Sequence, residues 1–224
     1  MSPPLDLLPL VASFGWYVLA PLVSREEGHE AITRAAWEGM GLLPEQERAL
    51  IRGVRSPDVS LAGLLSSALP FAQPRHALRR WWSTSSADAV RDAREFLAAI
   101  HQRAMSLPDG PRRWMVLGEA LHCLQDAYSP AHVDRTGGRI LRMHHWGPVD
   151  AFRGGGHREH GFPSDRRDGA WSNGELTVEA RTAVQGSRRY LEIAVRHSVS
   201  PWHDVSQGQE IEALLDELMP YGPA

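Results

Sequence analysis

Histidine and aspartate recur at short spacing in the stretch GEALHCLQDAYSPAHV, residues 118–133. His122 and Asp126 are four residues apart, so on a helix both side chains project from the same face. Pro130 must end such a helix, and the chain can then turn and bring His132 back to the same place. Neutral imidazoles and carboxylates that converge suit a metal ion, zinc in particular. The alternative is a buried hydrogen-bond network without a metal.

Further histidines and aspartates stand on both sides of this stretch. Upstream are His29 in REEGHEAIT, Asp58 in GVRSPD and His76 in QPRHALRRWW. Downstream, RMHHWGPVDAF contains His144, His145 and Asp150. Taken singly, His29 could be a surface helix residue, Asp58 a helix cap, and His76 part of a solvated basic face. Their order along the chain, rather than any one of them, favours a shared site.

Taken together, these residues resemble a known family. The motif H-x-L-x-D-x-x-x-P-x-H, preceded by LGEAL, is similar to the central motif of the zinc-dependent phospholipase C / P1 nuclease family. That family is all-helical and uses three zinc ions to hydrolyse phosphodiesters. The resemblance extends over residues 16–152. It implies an all-α fold, a single compact multi-helix domain with a long loop rich in His and Gly.

The resemblance also implies a set of metal ligands. One zinc would be held by Asp58, His76, His122 and Asp126. Asp126 would bridge to a second zinc shared with His29, and the third would be held by His132, His145 and Asp150. Asp58 stands at the position of the family's proposed general base. Clustered dications would activate water and stabilise the phosphoryl oxygens, so we expect a zinc cofactor of two or three ions.

The final pair departs from the family pattern. The acid follows the histidine by four residues in the family, whereas Asp150 follows His145 by five, as though Gly147-Pro148 were an insertion. His144 is an alternative to His145. The loop histidines His157 and His160 could also replace this pair.

The N-terminal segment bears on a further ligand. In the family the amine of an N-terminal tryptophan binds zinc, and Trp16 precedes His29 at a corresponding distance. Such an amine requires removal of residues 1–15. The uncharged run 7–23 lacks the basic region of a signal peptide and is short for a membrane span. We expect a buried segment here, with a pro-type segment or an anchor as alternatives, and we slightly favour a cytoplasmic protein over a secreted one.

Helical patterns dominate the elements that must position these residues. Helices are predicted over 25–39, 44–54, 59–69, 85–105, 111–128, 177–199 and 205–218. Residues 133–172 show no sustained period and are expected to form a long active-site loop, since such a loop is uncommon without a function. No strand run and no repeat is apparent. The sequence therefore predicts one helical domain over residues 1–224.

Composition limits the function classes. The net charge of −3 argues against a general binder of nucleic acid or of membrane surfaces. Cys123 is the single cysteine, so an internal disulfide is excluded. We expect Cys123 to be a core residue. His101, His197 and His203 are expected to be ordinary structural residues.

The combined expectation is a zinc-dependent hydrolase of the phospholipase C type. Its substrate would be a phospholipid or a smaller phosphodiester, without stable insertion into a membrane. Three alternatives stay open: other metal-dependent chemistry on a small molecule in a bacterial biosynthetic pathway, a P1-like nuclease for single strands, and a helical domain with a structural zinc. A site with His and Asp but no thiolates favours catalysis over structure. Substrate identity and oligomeric state are left open by the sequence.

Overall fold

A computed structural model describes the protein over residues 28–59, 70–79, 85–130, 132–144, 171–172, 175–199 and 205–222. The described part is mainly helical. In chain order the helices are α1 (Gly28–Trp37), α2 (Pro44–Val59), a 3-10 helix (Pro70–His76), α3 (Ser86–Ser106), α4 (Pro111–Asp126), α5 (Val178–Val199) and α6 (Val205–Leu218). The strands are β1 (Val133–Thr136), β2 (Arg139–Met143), β3 (Trp171–Ser172) and β4 (Glu175–Leu176). The predominantly helical class predicted from sequence is confirmed, and none of the described helices is long and apolar enough to span a membrane.

Helix α4 is the centre of the fold. Pro111 occupies its first turn, where the missing N–H costs nothing. Every residue from Val116 to Asp126 is buried, as expected of a helix enclosed by others. It packs against α1, α2, α3, α5 and the 3-10 helix. The polar groups of α4 are therefore held inside the core, where they must find partners.

Helices α2 and α4 cross at two glycines. A Cβ on Gly53 would lie 2.0 Å from the Met115 carbonyl oxygen, and one on Gly118 would lie 2.3 Å from that of Leu50. Only hydrogen fits between backbones this close. The crossing places the last turn of α2 beside His122.

The end of α2 corrects the sequence interpretation. The helix was expected to stop near Val54, with Asp58 following a helix-ending glycine. Instead α2 continues through Gly53 and Pro57 to Val59. Gly53 serves the contact with α4 rather than termination. Because Asp58 is four residues after Val54, both face the same side of α2.

Residues 133–172 are not wholly a loop. Strands β1 and β2 form an antiparallel hairpin in which Val133 pairs with Met143 and Thr136 with Arg139. Gly137 and Gly138 both have positive φ, 55° and 80°, as a two-residue turn that matches strand twist requires. The expectation of no strand in this stretch was therefore wrong. The pair Gly-Gly between VDRT and RILRM was the signal that predicts it.

The remaining helices follow the prediction closely. Ser85 caps α3 by accepting a hydrogen bond from the backbone N–H of Asp88, which confirms the predicted start. Helices α5 and α6 lie at the predicted positions. The expected helix over 59–69 falls outside the described residues beyond Val59, as do the apolar segment 7–23 and His203.

A chain of hydrogen bonds joins α3, α5 and α6, and we call it the histidine relay: Tyr190, His101, His197 and Glu210. His101 Nδ1 lies 3.1 Å from the Tyr190 hydroxyl, and His101 Nε2 lies 3.0 Å from His197 Nδ1. His197 Nε2 in turn lies 2.9 Å from Glu210 Oε2. One set of protons satisfies every member: Tyr190 donates to His101, His101 to His197, and His197 to Glu210. His101 and His197 are thus buried and hydrogen-bonded within the relay, and their purely structural role stays a prediction.

The relay makes folding stability depend on pH. Burial lowers the pKa of His101 to about 4, assisted by His197 and opposed by Glu210. In the unfolded chain the pKa is about 6.5. Between about pH 6.5 and pH 4, His101 therefore binds a proton in the unfolded chain but not in the folded protein. Stability should fall by up to about 3 kcal/mol between pH 6.5 and 4, and change no further from this group below pH 4.

Chemical denaturation of wild type and His101→Gln at several pH values tests this expectation. The variant is expected to be less stable at pH 7, because two relay hydrogen bonds are lost, but to lose less stability on acidification. Parallel stability curves for the two proteins would contradict the expectation.

Candidate metal centre

The centre is built around the Asp126 carboxylate, at the last turn of α4. Asp126 is 1% exposed, and its two oxygens face different histidines. His122 lies one helical turn earlier and is fully buried. The remaining ligand candidates come from α1, from α2, from the 3-10 helix and from the turn after Pro130. Only the tertiary fold brings these segments together.

Three side chains converge beside Asp126 Oδ2. His122 Nε2 lies 3.1 Å from Asp126 Oδ2 and 2.9 Å from His76 Nδ1. His76 Nδ1 lies 3.5 Å from Asp126 Oδ2. Asp58 Oδ1 completes the set, 3.6 Å from His122 Nε2 and 3.8 Å from His76 Nδ1. These spacings resemble those around tetrahedral zinc, whose bonds of about 2.0–2.1 Å place the ligand atoms roughly 3.3 Å apart.

Two further histidines lie against the other oxygen. His29 Nε2 is 3.1 Å from Asp126 Oδ1 and 3.9 Å from Asp58 Oδ2. His132 Nε2 is 3.6 Å from Asp126 Oδ1. The two oxygens of Asp126 thus serve two separate groups of nitrogens. This is the arrangement that a bridging carboxylate requires.

The rings of these histidines are held by their other nitrogens. His122 Nδ1 lies 2.9 Å from the Val54 carbonyl oxygen, and His132 Nδ1 lies 2.6 Å from that of His76. Because a carbonyl can only accept, each Nδ1 must carry the proton. In the neutral imidazole, each Nε2 then carries a lone pair on the side of Asp126. Such fixed tautomers are typical of metal-binding histidines, whose second nitrogen is held by an outer partner.

The charges of the centre are strongly coupled. Burial alone would raise the pKa of Asp126, but His122, His132 and His29 outweigh it and hold that pKa well below its ordinary value. For His122, burial lowers the pKa, while Asp126 and Asp58 raise it further than burial lowers it. A buried carboxylate surrounded by nitrogen atoms is stable only with positive charge beside it, either protons or a cation.

The residues present fit a metal ion. Among the described residues, neither Asp126 oxygen accepts a hydrogen bond of good geometry, although both are fully buried. Buried polar atoms without such a partner are costly. Two groups that share His122 have ligand atoms close enough to hold an ion: His29 with Asp58 and His122, and His76 with His122 and Asp126.

Six of the eight predicted ligands are therefore brought together: His29, Asp58, His76, His122, Asp126 and His132. His145 and Asp150 lie outside the described residues, as do Trp16, His157 and His160. Whether a third set of ligands closes around His132 stays a prediction.

The hairpin places His144 beside this centre. The His144 backbone N–H donates to the His132 carbonyl oxygen at 2.8 Å, so the two residues lie opposite each other on adjacent segments of the chain. His144 Nε2 lies 3.2 Å from Asp134 Oδ1. Asp134 was not among the predicted residues; the available signal was an acidic residue two positions after His132.

Other contributions to the centre were also missed. Val54 contributes its backbone carbonyl, which every residue has. This contribution therefore cannot be predicted from the sequence. Gln125 lies 2.9 Å from His29 Nδ1. Cys123 was expected in the core and is fully buried; burial raises the pKa of its thiol, which disfavours a thiolate ligand.

Comparison with known proteins identifies no relative: no family model, no curated protein and no solved structure matches this chain. The family resemblance of the central motif therefore stays a prediction. The interpretation of the centre rests on its own geometry and chemistry.

Proposed function

We propose that the protein is a zinc-dependent hydrolase of phosphodiesters, of the phospholipase C type. The observation that carries the proposal is the Asp126 carboxylate, which is buried and bordered on both oxygens by histidines. Two of these, His122 and His132, have Nδ1 held by a backbone carbonyl. A carboxylate is costly to bury unless a cation balances it. The all-His/Asp composition favours a catalytic over a structural zinc.

The chain supplies a distinct role for each residue. Asp58, His76, His122 and Asp126 would hold one ion, and Asp126 with His29 would hold a second. His132, together with His145 and Asp150, would hold a third if the family resemblance extends that far. When bound, such dications lower the pKa of water and stabilise charge on a phosphoryl group.

Asp58 is the best candidate for a general base. Its side chain is 40% exposed, whereas those of His29, His76, His122 and Asp126 are at most 7% exposed. A carboxylate that is both in the cluster and open to solvent can accept a proton from an attacking water. Substrate would therefore approach from the side of Asp58.

Two arginines that adjoin parts of the centre in the sequence, Arg55 and Arg75, favour a small diester over a nucleic acid. Arg55 Nε lies 2.8 Å from Glu30 Oε1, and Arg75 Nη2 lies 2.9 Å from Glu119 Oε2. These two cations are already paired with carboxylates from the same fold. A nuclease for single strands needs positive charge available to successive phosphates.

Metal analysis combined with a substrate panel tests the proposal. We expect bound zinc and turnover of a choline phospholipid or bis-p-nitrophenyl phosphate, with weaker turnover of single-stranded DNA. His122→Ala is expected to lower both zinc affinity and turnover by at least the roughly 10–100-fold seen when outer partners of metal ligands are removed. Cys123→Ala, the neighbouring buried residue on α4, is the matched control and should keep both.

The outcomes separate the alternatives. Zinc binding without turnover of any diester would refute phosphodiester hydrolysis and favour other chemistry on a small molecule. Full activity of His122→Ala, or no zinc after loading, would refute the metal centre itself.

A further inference from the structure

Gln125 links the metal centre to two other helices. It directly precedes Asp126 on α4 and is 2% exposed. Its Oε1 lies 2.9 Å from His29 Nδ1. Its Nε2 donates to the Thr33 hydroxyl at 2.8 Å and to the Ser187 hydroxyl at 3.3 Å. One amide therefore connects the centre with α1 and α5.

With the amide of Gln125 in this orientation, a neutral His29 carries its proton on Nδ1. An amide oxygen can only accept, so the Nδ1 facing it carries the proton. In this neutral tautomer His29 Nε2 has a lone pair, and it lies 3.1 Å from Asp126 Oδ1. A lone pair and a carboxylate oxygen repel each other unless a cation lies between them. The Gln125 contact thus prepares His29 to bind a cation together with Asp126.

We propose that Gln125 is a positioning residue, which holds His29 in the tautomer that presents Nε2 to the metal shared with Asp126. The inference rests on the metal centre of the proposed function. Gln125 acts through His29 and does not itself contact the metal.

The two hydroxyls do not by themselves fix which way the amide of Gln125 is turned. Thr33 and Ser187 hydroxyls can donate as well as accept. They could equally satisfy an amide turned by 180°, whose Nε2 would face His29 Nδ1 and place the imidazole proton on Nε2. A carboxylate at this position cannot donate, so Gln125→Glu enforces the metal-binding tautomer. Gln125→Met keeps the length of the side chain but removes both polar ends.

Zinc affinity, measured by competition with a chromophoric chelator, tests the proposal without recourse to activity. Gln125→Met is expected to lower the affinity for one of the zinc ions by about 10–100-fold, because an outer partner of a ligating histidine is lost. Gln125→Glu is expected to keep the wild-type affinity for that ion. Gln102→Met makes the same substitution at an exposed position of α3 and should change nothing.

A double-mutant cycle shows whether Gln125 acts through His29. In a His29→Ala background, the further change Gln125→Met should not lower the zinc affinity any further, since the histidine that Gln125 positions is absent. Equal losses in both backgrounds would overturn the proposal and indicate a general structural effect. Unchanged zinc affinity of the single Gln125→Met variant would also overturn it.

Nitrogen NMR of the wild-type imidazoles gives a test that does not depend on variants folding. In the zinc-loaded protein, a proton on His29 Nδ1 supports the proposal and a proton on Nε2 overturns it. Wild-type protein that binds no zinc would refute the proposed function and this inference together. Zinc-binding wild type with an unaffected Gln125→Met variant would refute only the inference.

Discussion

Asp126→Asn is expected to abolish the stabilisation that zinc confers. Each oxygen of Asp126 faces its own histidines, so the neutral amide removes the anion from both groups of ligands at once. At a zinc concentration 1,000 times the Kd, one site stabilises the folded protein by about 4 kcal/mol. For a domain of this size that corresponds to a rise in Tm of roughly 8–16 °C, which the variant should lack.

Thermal unfolding with zinc and with a chelator measures the effect. Asp216→Asn is a suitable control, because Asp216 is 72% exposed and pairs with Arg94 at the surface; such pairs contribute little. The control should keep the whole zinc-dependent rise. Wild-type zinc stoichiometry in Asp126→Asn would contradict the assignment of Asp126 as the shared ligand.

Gly118→Ala is expected to be the most damaging small substitution in α4. Its Cβ would lie 2.3 Å from the Leu50 carbonyl oxygen and 2.7 Å from Gly53 Cα. Backbone atoms cannot rotate away as a side chain can, so the two helices must separate. We expect a loss of about 3 kcal/mol or more in the free energy of unfolding, which exceeds the roughly 1 kcal/mol that alanine gains over glycine in a helix.

The same substitution should also weaken zinc binding. Separation of α2 from α4 lengthens the hydrogen bond from His122 to the Val54 carbonyl and moves Asp58 away from His122. Gly208→Ala provides the matched control: Gly208 lies in α6, and a Cβ there meets nothing within 4 Å. It should stabilise the protein by up to about 1 kcal/mol. Equal stability of Gly118→Ala and wild type would contradict the described helix crossing.

Helices were readable from the sequence where local chemistry decides them. Ser85 before α3 and Pro111 in the first turn of α4 are local signals, and the structure agrees with the helix starts predicted there. The end of α2 was not readable. Gly53 was interpreted as a glycine that ends the helix. In the structure it instead contacts Gly118, 65 residues away, and no local pattern distinguishes a helix-ending glycine from one at a helix crossing.

The hairpin shows a different limit. Its alternation is short and interrupted by a register shift between Asp134 and Arg135, so period alone did not reveal it. The Gly-Gly turn was present but was read only as loop composition. What the hairpin does, setting His144 opposite His132, depends on pairing and not on either strand by itself.

The sequence by itself determined which residues could be metal ligands, because imidazole and carboxylate groups carry that chemistry wherever they lie. It also determined that His122 and Asp126 share a face, since helical spacing imposes it. Tertiary structure alone decided that Asp126 presents one oxygen to His122 and His76 and the other to His29 and His132. It also decided which ring nitrogens face a hydrogen-bond acceptor, because these depend on the Val54 and His76 carbonyls and on Gln125. Their positions follow from how closely α1, α2, α5 and the 3-10 helix pack around α4.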